Sequence, residues 1–229
     1  RPGMGTYYSL PNARHDRLTD NSQEALAAWR TKEDAWLAEL GAIGMPAEIG
    51  SRDWVTYGIL HETLTSSAAI RICRNELWAA GSMTAWHTSV PSLFEIQPVD
   101  TPELQRQALQ RLAGLPKYID VEIANLRHGL ELGYSVPRVS VAPAVGEVRA
   151  LAGADSPLLS PGVRAGDPKF AAEVDALFRS EIVPAIERFA RFLEAEYLPR
   201  ARDEIGLGAN PDGAACYPAL VRYYATVQP

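Results

Sequence analysis

The longest amphipathic pattern in the chain lies between Asp167 and Ile205. Its apolar residues recur at spacings of three and four, which is the period of one face of an α-helix. They are Phe170, Val174, Leu177, Phe178, Ile182, Ile186, Phe189, Leu193 and Tyr197. Asp167 followed by Pro168 is a typical helix start, and the glycines after Ile205 are a typical end. We therefore predict a long helix around which the other elements pack.

Shorter helical patterns precede and follow this long helix. The predicted helical segments are 21–41, 51–78, 101–114, 116–133, 137–152 and 212–225. The segment 51–78 is apolar over much of its circumference, so we expect it to be central. Pro143 and Gly146 should interrupt the segment 137–152, and Pro184 and Pro199 should kink or divide the long helix, because proline removes a backbone hydrogen bond.

Two segments rich in Pro, Gly and Ser are predicted to lack helices. Residues 81–98 should form a loop packed on the core, and residues 153–166 a linker or mobile loop. No strand-like alternation and no fixed repeat occur, so the predicted class is all-α, an irregular multi-helix array. We predict a single helical domain over 1–229, divided into an arm (1–20), a helical subregion (21–152), the loop (153–166) and the long helix plus a terminal helix (167–229).

Composition and charge exclude two classes of partner. Of the 229 residues, 47% are hydrophobic and 22% are charged, as in ordinary globular proteins. The formal net charge is −6, whereas nucleic-acid-binding proteins normally present a basic surface. No apolar run approaches the ~20 residues of a membrane-spanning helix. We therefore expect neither a nucleic-acid partner nor a membrane span.

The ends of the chain and its cysteines say little about the compartment. Cys73 and Cys216 are too few for a disulfide framework, and either can be a small buried hydrophobic residue. Residues 1–5 lack the apolar core of a signal peptide and do not resemble a natural translation start. We expect the chain to be a piece of a longer polypeptide, truncated at both ends.

One helical pair invites comparison with zinc peptidases. In their motif, histidines at positions i and i+4 bind the metal and the intervening glutamate is the base. Here His61-Glu62 is followed by Thr65 instead of the second histidine, so the motif is incomplete. We expect His61 to be a hydrogen-bonded core residue. The other histidines, which lack the spacing of a shared metal site, are His15, His87 and His128. We predict no catalytic or metal-binding residue in this chain.

The predicted C-terminal helix carries our candidates for substrate binding, Tyr217, Arg222 and Tyr224. An arginine with aromatic neighbours suits binding of a carboxylate or a peptide backbone. The same tyrosines can instead pack this helix against the long one, with their hydroxyl groups at the rim. Both interpretations stay open at this point.

Several motifs, in their order and spacing, resemble the N-terminal half of the bacterial family known as domain of unknown function 885. They are Asp16–Asp20 (DRLTD), Cys73–Trp78 (CRNELW), Leu115–Tyr118 (LPKY), Leu126–Leu130 (LRHGL), Gly133-Tyr134, Tyr197–Arg202 (YLPRAR), Gly206-Leu207 and Pro211–Gly213 with Tyr217. The resemblance extends over nearly the whole chain.

The resemblance implies a function that the residues alone do not. Full-length relatives resemble mostly helical zinc peptidases that cleave short peptides, and many are exported or lipid-anchored. Their metal site comes from a later segment, a His-Glu pair followed by Pro-Gly-His-His, which this chain lacks. By this resemblance the chain would be exported or periplasmic and form one wall of a peptide-binding cleft. It would be inactive alone and need a C-terminal half that binds zinc.

The alternative is a non-enzymatic all-α module that binds a partner protein or a second copy of itself. Its interface would use exposed aromatic residues such as Trp29, Trp36, Trp54 or Trp86. A complete module should cover its own apolar faces. Half of an enzyme should leave a large apolar surface bare where its other half docks.

Overall fold

The fold is all-α, as the hydrophobic pattern predicts. The structure is a computed structural model that describes residues 2–83 and 85–226, and in that part of the chain β pairing is confined to one isolated bridge between Pro137 and Arg202. The helices are α1 (Pro2–Tyr7), α2 (Gln23–Ile43), α3 (Arg52–Ala69), α4 (Trp86–Glu95), α5 (Pro102–Ala113), α6 (Leu115–Glu131), α7 (Arg138–Ala150), α8 (Ser160–Arg164), α9 (Pro168–Leu177), α10 (Val183–Phe192) and α11 (Gly213–Ala225). None of these helices is both long and apolar enough to cross a membrane.

Residue contacts group the chain into two compact units, each built from two stretches of sequence. Unit 1 comprises Arg1–Asn21 and Glu76–Asp203, and it contains α1 and α4 to α10. Unit 2 comprises Ser22–Asn75 and Glu204–Pro229, and it contains α2, α3 and α11. Neither unit is therefore a continuous stretch of chain.

The core of unit 1 surrounds the predicted long helix. A π-helical turn (Phe178–Ile182) joins α9 to α10, and a second π turn (Leu193–Tyr197) and a 3₁₀ turn (Leu198–Arg200) follow. All of the predicted apolar stripe is buried except Leu177, which is partly buried against the core. The periodicity thus identified both the helix and the face that it buries.

The two prolines act differently in this rod. Pro184 lies in the first turn of α10, where an absent N–H is tolerated, and the π turn directly precedes it. The helical path therefore continues through Pro184, and the irregularity takes the form of the π turn. Pro199 lies in the 3₁₀ turn with which the rod ends.

Two predictions about loops and breaks in unit 1 are wrong. Residues 81–98 contain α4, whose Trp86, Val90 and Phe94 follow a four-residue spacing and pack in or against the core. Pro91 lies inside α4, so its presence did not exclude a helix. Likewise α7 runs without interruption through Pro143 and the glycine after it. In these short helices the burial of the apolar face outweighs the lost backbone bond.

The predicted linker at 153–166 is also wrong, because this segment is part of the core. It contains a 3₁₀ turn (Pro157–Leu159) and α8, and Leu158 is fully buried. Gly162 of α8 lies against α9, where an added Cβ would come within 3.2 Å of Val174. A proline in the first turn of a helix restricts the backbone to helical angles. Pro and Gly in a segment therefore do not by themselves indicate a loop.

Unit 2 contradicts the prediction that the second helix is central. The helix α3 ends at Ala69 and is followed by 3₁₀ turns (Ile70–Cys73 and Asn75–Leu77) instead of continuing to residue 78. Its apolar residues Val55, Ile59 and Leu60 are exposed. An apolar circumference shows that a helix could be buried on several sides, but not that this chain supplies the covering residues.

Candidate functional site

The structure does not gather the three predicted substrate-binding residues into one pocket. All three are on α11, where Tyr217 and Tyr224 are 61% and 77% exposed. These tyrosines are seven residues apart, which is about two helical turns, so they lie on the same side of α11. Arg222 follows Tyr217 by five residues and therefore lies on the other side.

Arg222 is already bound to a carboxylate of unit 2. Its Nε and Nη2 donate to Oε1 and Oε2 of Glu62 on α3, both at 2.7 Å. This two-pronged bond lowers the pKa of Glu62 below its ordinary value and raises the pKa of Arg222. The guanidinium group is thus occupied, and a peptide carboxylate would have to displace Glu62. No local sequence pattern predicts this pairing, because the partners are 160 residues apart.

His61 does not have the buried position that the sequence predicts. It is exposed, and its ring stacks on Tyr57, one turn earlier, with 5.8 Å between ring centroids. Four residues after His61 is Thr65, and Glu62 is engaged by Arg222. Across residues 2–83 and 85–226, no three His, Cys, Asp or Glu side chains are grouped so that they could hold a metal ion. The described side chains therefore do not by themselves form a zinc site.

A disulfide connects the two sequence segments of unit 2. Cys73, at the end of the 3₁₀ turn after α3, is bonded to Cys216 on α11, with a Cα–Cα distance of 4.8 Å. Both cysteines are buried, as expected for small hydrophobic residues, but they are also paired. Their separation of 143 residues explains why spacing gave no indication of the bond.

Unit 2 exposes large apolar side chains on two helices that pack together. We use the name unit 2 apolar surface for the exposed apolar side chains of these two helices, which are Val55, Ile59 and Leu60 on α3 and Tyr217 and Tyr224 on the side of α11 opposite Arg222. Ile59 is 65% exposed, and it follows Val55 by one helical turn on the same side of α3. Single exposed apolar residues are common, whereas several within two turns of one helix, as on α3, are typical of an interaction surface.

Four tryptophans are predicted interface residues of the alternative module, and the structure places them in different environments. Trp86 is buried in the core of unit 1, where its ring packs edge-on against Phe189, so it is not an interface residue. Trp36 is exposed and contacts Trp29 edge-to-face on α2. Trp54 is half-buried. Only α2 therefore offers a strongly exposed tryptophan among the four.

In unit 1, a fully buried arginine that the sequence analysis missed attaches the N-terminal arm. Arg111 of α5 donates to the backbone carbonyls of Arg14 and Arg17 at 2.7 and 3.0 Å, and to Thr6 Oγ1 at 2.9 Å. It also donates to the side chain of Gln97 at 2.5 Å. Burial lowers the pKa of Arg111 to about 10. A buried cation satisfied by four acceptors fixes the arm on α5.

A second buried polar group fixes the arm on α6. Asn21 donates from Nδ2 to Oε1 of Glu122 at 2.7 Å and to the carbonyl of Tyr118 at 3.3 Å, and Asn125 donates to the carbonyl of Asn21. Burial raises the pKa of Glu122 and of Tyr118, whose hydroxyl is hydrogen-bonded to that carboxyl. Perturbed carboxyl groups are enriched at functional sites, although structural networks also contain them.

The motif Tyr197–Arg202 has a structural role in unit 1. The hydroxyl of Tyr197 accepts a hydrogen bond from the backbone N–H of Val136 at 3.1 Å, and burial raises the pKa of Tyr197 to about 12. Arg202 donates from Nε to the carbonyl of Ser135 at 3.0 Å. These bonds attach the end of the rod to the segment before α7, so the motif holds the fold and contacts no candidate site.

Comparison with solved structures shows the fold. The structure of a putative lipoprotein from Colwellia psychrerythraea matches with a TM-score of 0.82 and 15% sequence identity, over 98% of this chain. This chain spans only 43% of that protein. No curated protein matches the chain.

A family model gives the family directly. The model described as "Bacterial protein of unknown function (DUF885)" matches residues 2–228, which is nearly the whole chain. The chain therefore belongs to this bacterial family.

Proposed function

We propose that this chain is the helical, non-catalytic part of a longer exported protein of the zinc-peptidase type. It contributes one wall of a peptide-binding cleft, and the metal is held by residues outside this chain. Two findings support placing the metal site outside this chain. The chain spans 43% of its solved structural relative, and residues 2–83 and 85–226 contain no group of three metal-binding side chains.

The observation that carries the proposal is the unit 2 apolar surface. Ser51 caps the start of α3, and its side chain accepts a hydrogen bond from the N–H of Trp54, so the exposed residues belong to a regular helix. Removing each large aliphatic side chain from water contributes roughly 1.5–3 kcal/mol. A further part of the polypeptide that packs on α3 and α11 would gain this stabilisation and form the opposite wall of the cleft.

The disulfide supports export. Disulfides form and persist mainly in oxidising compartments such as the bacterial periplasm and the cell surface. The bond between Cys73 and Cys216 is the sole pairing of the only two cysteines in the sequence. The solved relative is described as a putative lipoprotein, which agrees with this location.

The test compares this 229-residue chain with the natural full-length polypeptide by amide hydrogen exchange. We expect α3 and α11 to exchange more slowly in the longer protein, because the unit 2 apolar surface is covered there. Ile59→Glu should abolish that added protection but leave the 229-residue chain folded. Equal exchange of α3 and α11 in both proteins would overturn the proposal.

Peptidase activity gives an independent readout of the same proposal. Zinc-dependent cleavage of short peptides is expected from the full-length polypeptide and not from the 229-residue chain. Cleavage by the short chain would contradict the proposal that the metal site lies outside it.

A second candidate function is a non-enzymatic interaction module, favoured by the exposed Trp36 on α2. In that case the 229-residue chain would bind a partner or a second copy of itself through unit 2. A stable dimer of this chain in sedimentation experiments, abolished by Trp36→Ala, would favour this candidate over the first.

A further inference from the structure

Two small clefts lie side by side in unit 1, one on each side of a shared wall. The wall consists of Leu18, Thr19 and Tyr118, which line both clefts. The first cleft has a volume of about 290 Å³ and the second about 240 Å³. Ligand pockets usually hold roughly 300–1,000 Å³, so each cleft lies just below that range and suits a small chemical group.

The first cleft is lined mainly by apolar groups. Met4 of α1, Leu18 of the arm and Val90 and Leu93 of α4 surround it, together with Tyr118. Val90 and Leu93 are half-buried, so part of each apolar side chain still faces water. An apolar ligand group that enters this cleft would cover that area.

The second cleft offers hydrogen-bond donors that the protein leaves unused. In the described part of the chain, the side chains of Gln110, Lys117 and Thr19 line this cleft and make no hydrogen bond or ion pair. Lys117 is exposed, and its ammonium group can donate up to three hydrogen bonds. These three groups together suit a negatively charged, acceptor-rich group.

The carboxylates at the second cleft do not compete for Lys117. Asp16 accepts hydrogen bonds from Arg14 at 2.8 Å and Arg17 at 3.0 Å, and these bonds hold the pKa of Asp16 far below its ordinary value. Asp20 also lines the cleft and is engaged in interactions within the protein. Lys117 therefore supplies an ammonium group at this cleft in addition to the two arginines that pair with Asp16.

The shared wall is held in place before any ligand arrives. Arg111 fixes the carbonyls of Arg14 and Arg17, and Asn21 binds Tyr118 and Glu122. A site that is already ordered loses little conformational entropy on binding. The arm and α6 thus form a preorganised pair of clefts.

We propose that these clefts bind a carboxylate carried by an apolar group, with the apolar group in the first cleft and the carboxylate beside Lys117 in the second. The C-terminal hydrophobic residue of a peptide has this chemistry, and so does a short fatty acid. The assignment to a peptide rests on the proposed function, whereas the binding itself does not.

The experiment uses the 229-residue chain and NMR titration with N-acetyl-L-leucine, its amide, and N-acetylglycine. We expect saturable binding of N-acetyl-L-leucine, with shifts at Leu18 and Val90. Loss of the isobutyl group in N-acetylglycine should weaken binding about tenfold or more, because a Leu side chain is worth ~1.5 kcal/mol or more on burial. The amide should bind about two- to fivefold more weakly, as expected for an exposed charge pair.

Variants test separately which part of the ligand each cleft binds. Lys117→Gln should make the acid and the amide bind equally, whereas the matched control Lys169→Gln, on the exposed first turn of α9, should not. Ser89→Trp places a large ring at the exposed rim of the first cleft and should abolish the preference for leucine over glycine. Both cleft positions are exposed, so the variants should fold, which circular dichroism checks.

Two further ligands distinguish the sources of the carboxylate. Tighter binding of an acetylated Ala-Leu dipeptide than of octanoate assigns the site to peptides, and the reverse assigns it to fatty acids. Absence of binding by all of these acids, or binding unaffected by both variants, overturns the inference. Hydrogen exchange of α3 and α11 decides the proposed function separately.

Discussion

Unit 1 buries most of the large apolar side chains of this protein, whereas unit 2 exposes many of its own. The continuous core cluster of buried residues lies within unit 1 and surrounds the rod of α9 and α10. In the described part of unit 2, the buried apolar side chains are Leu40, Leu64, Cys73 and Cys216. Two of these four are joined by the disulfide.

Polar links replace part of the missing core in unit 2. Glu33 of α2 is buried and accepts hydrogen bonds from Ser67 at 2.9 Å and Arg71 at 3.1 Å. Arg71 also binds Asp34 at 2.6 Å. Small units bury a smaller fraction of their surface, and covalent bonds commonly compensate for this. The comparison indicates that one unit is stabilised by its core and the other by specific links between helices.

The largest expected effect is a deletion in the core of unit 1. Phe189 is fully buried, and its ring packs against Trp86 and Phe192. Phe189→Ala should lower the free energy of unfolding by about 3–5 kcal/mol, since it removes buried area and leaves a cavity. Urea denaturation measures this change. Ile59→Ala at the exposed surface of unit 2 is the control, with an expected change within about 0.5 kcal/mol. Similar losses for both would contradict the comparison.

The next largest effect concerns the disulfide of unit 2. Replacement of both Cys73 and Cys216 by alanine should lower the stability of unit 2 by about 2–5 kcal/mol, because the unfolded segments are no longer linked. Hydrogen exchange should accelerate in α3 and α11 and stay unchanged in α6 and α10. Reduction of the wild-type protein should have the same pattern. Unchanged exchange in α3 and α11 would show that unit 2 does not need the bond.

The smallest expected effects concern pH, and they have opposite signs in the two units. The bond from Arg222 lowers the pKa of Glu62 below 4.5, so its contribution to stability is present above pH 4.5 and is lost as the pH falls through the folded-state pKa. Burial raises the pKa of Glu122 above 4.5, so its ionisation penalises folding increasingly as the pH rises from 4.5.

Carbon-13 NMR of the two carboxyl groups measures these titrations directly. Glu62 should titrate below pH 4.5 and Glu122 above it. Relative to the wild type, Glu122→Gln should gain stability between pH 4.5 and 7, and Glu62→Gln should not. Identical titration midpoints for the two groups would refute the assigned environments.

Helix periodicity correctly predicted those helices whose apolar faces are buried against other residues of the same unit. The stripe from Phe170 to Tyr197 is buried as predicted, and α5 begins after its Thr101 cap. Periodicity could not show that α3 is exposed, because it reports the apolar face and not what covers it. The loop predictions for 86–95 and 160–164 are wrong because Pro, Gly and Ser favour loops locally, whereas packing against the core stabilises these segments as helices.

Long-range pairing explains why little of the candidate sites could be predicted. Glu62 binds Arg222 across 160 residues, and Arg111 reaches the arm across roughly a hundred residues of sequence. Such partners cannot be identified from local spacing in a single sequence. Tyr217 and Tyr224 were correctly placed on one helix, but Arg222 lies on its other side and is occupied.

The disulfide can form only late in the synthesis of the chain. Cys73 is synthesised 143 residues before Cys216, and at ~5–20 residues per second this interval is about 7–30 s. The helices of the intervening stretch Glu76–Asp203 are made during that delay, so unit 1 is complete before the second half of unit 2 exists. The thiol of Cys73 therefore has no partner until synthesis reaches residue 216, and the bond that holds unit 2 together can form only after all of unit 1 has been made.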